Sequence, residues 1–204
     1  MAAGDTKVSI SNNALTILGA NTITSFTDGS KAAGIANNLY EFVKKHTLSM
    51  YPWKFALKKV QLAQDSATPV NEWDYQYTLP TDAVSTLPVA VFFSGNSNAP
   101  KELDFEIYGD KLVTNSTTVY IDYIYDVVEG NMPTYFVTLL VYQLAWHLAE
   151  PITDQTTKAD YWKTHALGNP SDQGRGGYFR TATQIDAQGQ PPNVIEDYLL
   201  TNIR

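Results

Sequence analysis

The chain has 204 residues, a net charge of -7 from fourteen Lys plus Arg against twenty-one Asp plus Glu, and no cysteine. That length can bury a core needing no covalent staples, the missing cysteines exclude disulfides, thiolate catalysis and Cys-ligated zinc, and the acidic balance argues against a broad grip on nucleic acid or an anionic membrane. Charged residues are 17 % of the chain, against roughly 25 % in a typical domain, while aromatics reach 12 % with thirteen Tyr and four Trp, so part of the surface is expected to be covered by other protein.

Residues 1–7 lack the apolar core of a signal peptide, and the most apolar stretch, residues 135–149, is too short to span a bilayer and holds Gln143 and His147. The expectation is a soluble chain made in a cytoplasm, with no membrane contact. From Ser9 to Gly19, Ile10, Ala14, Ile17 and Leu18 share a helical stripe, and Gly19 suits the left-handed position after a helix. A second helix is expected from a Ser30 cap, carrying Ala32, Ala36, Leu39, Tyr40, Val43 and Met50 and ending near Tyr51 before Pro52. Trp53, Phe55 and Leu57 then alternate with Lys54, Ala56 and Lys58, a pattern open to an extended run or one more helical turn.

The middle reads as strands: Trp73 to Leu79 with alternating aromatics, an apolar run from Leu87 to Phe93, Leu103 to Ile107, a turn at Tyr108-Gly109-Asp110-Lys111, then Leu112-Val113 and residues 119–125. Short polar turns between them imply an antiparallel sheet or small barrel. Helix resumes with Pro133 at its first position, two apolar stripes (Phe136, Leu139, Leu140, Leu144, Leu148; Val137, Val141, Ala145) mark a central core helix, and Pro151 is expected to end it. Thr153 or Asp154 can cap a shorter helix with Ala159, Trp162 and Ala166, closed by Gly168-Asn169-Pro170. Beyond Ser171, glycines and Pro191-Pro192 suggest an extended, poorly packed tail, whose removal after Gln173 is expected to leave the remainder stable. The fold class expected is α+β, with helices of residues 1–56 and 131–170 closing one bundle, a β unit of residues 57–130 inserted between them, and residues 171–204 as the tail.

The histidines, His46, His147 and His165, lie on three different segments with no close metal spacing, and His147 with Glu150 forms only a lone H-x-x-E pair. No nucleophile elbow or phosphate loop occurs, and Gly174-Arg175-Gly176-Gly177 reads as a flexible joint. No catalytic residue, metal or cofactor is expected. Glu102, Asp104 and Glu106 share one face of one expected strand, which fits a solvated face, a carboxylate set for glycan hydrolysis, or a like-charged lining in an assembly. Lys44, Lys45, Lys54, Lys58 and Lys59 interleave with Tyr51, Trp53 and Phe55. Such a segment could bind single strands, but in an acidic chain it is better explained by pairing with acidic neighbours.

Asn13-Ala14-Leu15 leading to Leu18-Gly19, then Asp28 and a helix stopping at Tyr51-Pro52-Trp53-Lys54-Phe55-Ala56, with Leu62-Ala63 beyond, resembles the head-to-tail adaptor (tail tubular protein A) family of short-tailed bacteriophages. Tyr77-Thr78-Leu79-Pro80-Thr81-Asp82, Tyr123, Leu144-Ala145-Trp146-His147-Leu148-Ala149, Ile185-Asp186-Ala187-Gln188 and Arg204 extend the likeness over nearly the whole chain. One departure is Ser11-Asn12, where many members carry Cys-Asn. The resemblance implies a structural virion protein without enzyme activity, assembled in the host cytoplasm and sited at the tail vertex. It would form a dodecameric ring joining the portal protein to the tail nozzle protein, with tail fibres as a further candidate partner, around a channel that DNA traverses without specific binding. It also implies a portal-binding tail, for which the apolar residues Tyr178, Phe179, Val194, Ile195, Tyr198, Leu199, Leu200 and Ile203 and the charged Arg204 are the candidates, while Glu102, Asp104 and Glu106 are candidates for the channel lining. A tail-associated peptidoglycan hydrolase is the alternative function.

Overall fold

The computed structural model describes residues 4–70, 72–96 and 99–189. Helix α1, Lys7–Leu18, begins at a Thr6–Ser9 capping box and ends at Gly19, whose φ of 73° is the left-handed value a glycine adopts at no cost. The Asn12 amide then pins the outgoing loop, donating from Nδ2 to the Ile23 carbonyl and accepting from its N–H, both at 2.8 Å. Helix α2, Lys31–Ser49, is capped by the Ser30 hydroxyl. A short 3-10 turn over Lys54–Ala56 precedes strand β1, Leu57–Gln61, so both readings of this stretch are realised in succession.

The inserted β unit holds two antiparallel sheets of three strands each. In one, β1 and β3, Ala90–Phe92, flank β6, Tyr120–Ile124; in the other, β2, Tyr75–Thr78, and β4, Glu106–Tyr108, flank β5, Lys111–Thr114. Between β4 and β5 the loop has two residues, Gly109 taking a φ of 64° as a tight hairpin requires. Leu62, Tyr77, Leu79, Val91, Leu112, Val119, Ile121 and Tyr123 form a second, smaller core inside this unit.

Helix α3, Thr134–Thr153, is the centre of the main core: Phe136, Leu139, Leu140, Leu144, Ala145 and Leu148 are fully buried against α1, α2 and later helices. Pro133 sits one residue before the helix as its cap. Pro151 does not end it. The helix continues to Thr153, because a proline in the last turn forfeits only one backbone bond, to the His147 carbonyl, and Asp154 at φ 54° stops the chain instead. Helix α4, Thr156–Leu167, starts at Gln155, and neither Thr153 nor Asp154 caps it.

The expected extended tail is also corrected over residues 171–189. After a 3-10 turn at Pro170–Asp172, helix α5, Gly177–Ala187, packs on α3 and α4, burying Phe179, Ala182 and Asp186. Its first turn is no flexible joint. A Cβ on Gly176 would stand 2.5 Å from the Asp172 carboxylate, and one on Gly177 2.6 Å from the His165 carbonyl, so glycine is required by the close approach of the Asp172 side chain at the first and of the α4 backbone at the second. Removing the chain after Gln173 would therefore strip Phe179 and Ala182 from the core.

Candidate functional site

The string Tyr51 to Ala56 lies where the bundle, the β unit and α5 meet. Trp53 is wholly buried, donates from Nε1 to the Thr47 carbonyl at 3.0 Å, and touches Phe136 and Phe179 edge-on at 5.2 and 6.0 Å between ring centroids. A ring so enclosed cannot stack on a nucleotide base, which removes the central aromatic from a single-strand-binding reading. Asp186 of α5 accepts from the Lys54 backbone N–H at 2.9 Å and from the Tyr135 hydroxyl at 2.6 Å. It thus caps the 3-10 turn from another helix, and burial together with this bond raises the Tyr135 hydroxyl's pKa.

Three of the five lysines in the basic segment are paired with acids. Buried Lys44 lies 2.7 Å from Asp126 and 3.0 Å from Glu129, which also accepts from Tyr40; Lys58 reaches Asp82 at 3.0 Å and Lys59 reaches Asp122 at 3.4 Å. Burial alone would lower the pKa of Lys44, but the bonds to Asp126 and Glu129 outweigh it and raise the value. Lys44 thereby ties α2 to the chain leaving β6. Lys45 and Lys54 are exposed and make no ion pair among the described residues.

Glu102, Asp104 and Glu106 are not on one strand. The Glu102 N–H bonds the Val91 carbonyl of β3 in the first sheet, the Asp104 carbonyl accepts from Thr114 Oγ1, and only Glu106 lies in β4 of the second sheet. Alternation suggested a strand, but Leu103 is 90 % exposed because the segment crosses from one sheet to the other. The Glu106 carboxylate accepts from Tyr108 at 2.5 Å and Trp73 at 3.2 Å, and these two bonds hold its pKa below the usual carboxylate range. A glycosidase acid needs the opposite displacement.

The histidines stay apart from any ligand set, and among the described residues no group of three or more His, Cys, Asp or Glu side chains could hold a metal. His147 stacks on Trp146 at 4.2 Å and meets the edge of Phe42 at 6.1 Å, and its Nε2 is buried without a hydrogen-bond partner among the described residues. Burial first, then the charge of His46, lowers its pKa. Among the described residues no helix is long and apolar enough to cross a membrane.

Of the candidate portal-binding residues, Tyr178 is half-buried against Tyr142 at 5.4 Å and Phe179 is buried in the main core, so Phe179 is not a free anchor. Val194, Ile195, Tyr198, Leu199, Leu200, Ile203 and Arg204 lie outside the described residues. Large apolar side chains do stand exposed elsewhere: Phe42 at 59 %, Leu87 at 69 %, Val128 at 64 % and Tyr161 at 54 %. Sequence reasoning missed the role of Asp186, which entered only as part of the Ile185-Asp186-Ala187-Gln188 likeness. It also missed the exposure of Leu87, signalled by an apolar run longer than the strand it encloses. No protein-family model matches this chain, and no curated protein matches it.

Proposed function

We propose that the chain is a structural subunit of a short-tailed phage particle, a head-to-tail adaptor that assembles as a ring between portal and nozzle. The observation that carries this reading is that three residues of the resemblance, Trp53, Asp82 and Asp186, stand at joints of the fold. Trp53 closes the meeting point of bundle and β unit, Asp82 holds Tyr123 at 2.9 Å and Lys58 at 3.0 Å, and Asp186 clamps α5 onto the 3-10 turn. A likeness confined to surface loops would not fall on such positions. The exposed apolar side chains on α2, α4 and the β unit supply flanks that neighbouring copies could cover, in keeping with a low charged fraction of 17 %.

On this reading the acidic net charge keeps phosphate from adhering to the channel wall, and Asp104 and Glu106, both exposed, remain candidates for that wall. Assembly follows from the circular portal, which presents many equivalent contacts at once and so raises the effective concentration of subunits beside it. The free chain is then monomeric or loosely associated. Sedimentation of the chain alone and after mixing with assembled portal rings tests this: joint pelleting in ring stoichiometry is expected, and a chain that stays slow beside the portal overturns the proposal.

A further inference from the structure

On α3, position 143 shares a buried stripe with Phe136, Leu139 and Leu140, a place that helical spacing reserves for an apolar side chain. Gln143 stands there instead, fully buried. Its Oε1 has no hydrogen-bond partner among the described residues, and its Nε2 donates to the Met50 Sδ at 3.4 Å. A thioether sulfur is a weak acceptor, and a buried amide that is poorly paired costs free energy. Gln143 is therefore a buried donor facing a poor acceptor.

Met50 follows α2 as its C-terminal cap and is partly exposed. With Tyr51, Pro52, Val84, Leu87 and Val89 it lines a groove of about 320 Å³, open to solvent beside the exposed Leu87. Met50 is thus met by solvent on the groove side and by Gln143 on the core side. Met132 is the contrast within the same chain, fully buried in the main core and out of reach of a dissolved oxidant.

We infer that Met50 is an oxidation site whose sulfoxide is bound by Gln143. A hydroperoxide supplies the oxygen. The Sδ electron pair attacks the terminal peroxide oxygen, the S–O bond forms as the O–O bond breaks, and the proton of the transferred oxygen passes to the leaving one, which departs as water or, from an alkyl hydroperoxide, as an alcohol. Sulfur is oxidised by two electrons and the peroxide is reduced by two. The new S=O oxygen then replaces sulfur as the acceptor for Gln143 Nε2, a turn about the flexible methionine side chain being enough to bring it round. In an apolar core such an oxygen would be left unpaired and would disrupt packing; beside Gln143 it meets a donor already in place. This site needs neither ring nor portal, so it stands apart from the adaptor reading.

The test treats the full chain with hydrogen peroxide, then maps the oxidised peptides by mass spectrometry and follows urea unfolding. Met50 should gain one oxygen under conditions that leave Met132 unchanged. Its conversion should keep the folded-to-unfolded ratio within about 2-fold of the reduced chain. In Gln143→Leu, which is close in volume and deletes the donor, the same conversion should lower that ratio at least about 5-fold, and Met50→Leu/Gln143→Leu under the same treatment should lose nothing. In the parent, the nitrogen-15 NMR signal of the Gln143 side-chain amide should shift on oxidation, a readout that needs no variant. A Met50 that stays unmodified, a stability loss in the parent as large as in Gln143→Leu, a Gln143→Leu chain equally stable in both states, a loss that persists in the double variant, or an unmoved amide signal would each overturn the inference.

Discussion

Replacing Phe179 by Ala tests the clearest departure from the sequence reading, the packing of α5 into the main core. Phe179 is 5 % exposed, and its ring meets that of Trp53 at 6.0 Å and 86°, the edge-to-face geometry aromatic pairs favour. Truncating a buried Phe costs about 3–5 kcal/mol, and because α5 lies on the outside of the bundle and can settle inward, the lower end applies, about 3 kcal/mol. In a chain of this length that lowers the melting temperature by about 6–12 °C. Ile185 on the same helix is 39 % exposed and serves as the control; Ile185→Ala should cost under about 1 kcal/mol. Urea unfolding followed by tryptophan fluorescence reads both. A Phe179→Ala loss below about 1 kcal/mol, with native emission unchanged, would show that α5 does not close the core around Trp53.

Lys44→Met strands Asp126 and Glu129 without their buried cation, so stability at neutral pH should drop by about 3–5 kcal/mol. Since the folded pKa of Lys44 lies above 10.5, the parent's share of stability from this cation is complete below that pH and disappears as pH rises through the folded value; alkaline unfolding of parent and variant should therefore converge. Ser11 is fully buried and its hydroxyl has no partner among the described residues, so Ser11→Ala should raise the urea midpoint, by up to about 1 kcal/mol in stability; a loss would mean the hydroxyl is bonded. His147 has its pKa lowered below 6.5 in the fold, so its contribution is present above that pH and is lost as pH falls through the folded value. Melting scans from pH 7.5 to 5 should show a slope that His147→Phe flattens, and an unchanged slope would place the acid sensitivity elsewhere.

What could be read in the sequence follows from how locally each element is determined. Helices α1, α2 and α3 were legible because their apolar residues recur at helical spacing and Gly19 and Ser30 mark their ends. Pro151 misled because a proline rule for helix interiors weakens within the last turn. Helix α5 was hidden because its inner stripe is Phe179, Ala182 and Asp186, one of them an acid, and because Gly176 and Gly177, which look like slack, are fixed by distances to Asp172 and His165 that no sequence spacing reveals. The acidic triplet failed for a related reason. Alternation from Leu103 to Ile107 is a local signal, whereas the crossing between two sheets is decided by pairing partners, Val91 and Val113, from elsewhere in the chain. The basic segment was read correctly as far as its pairing goes, since Lys44, Lys58 and Lys59 each meet an acid.

The central claim is tested most directly by imaging portal rings after incubation with the purified chain and averaging the particles in end and side views. The account predicts a second ring, twelvefold by resemblance, seated on one face of the portal and coaxial with its channel. Portals that remain bare, or that carry the chain as scattered single copies without rotational order, would contradict it.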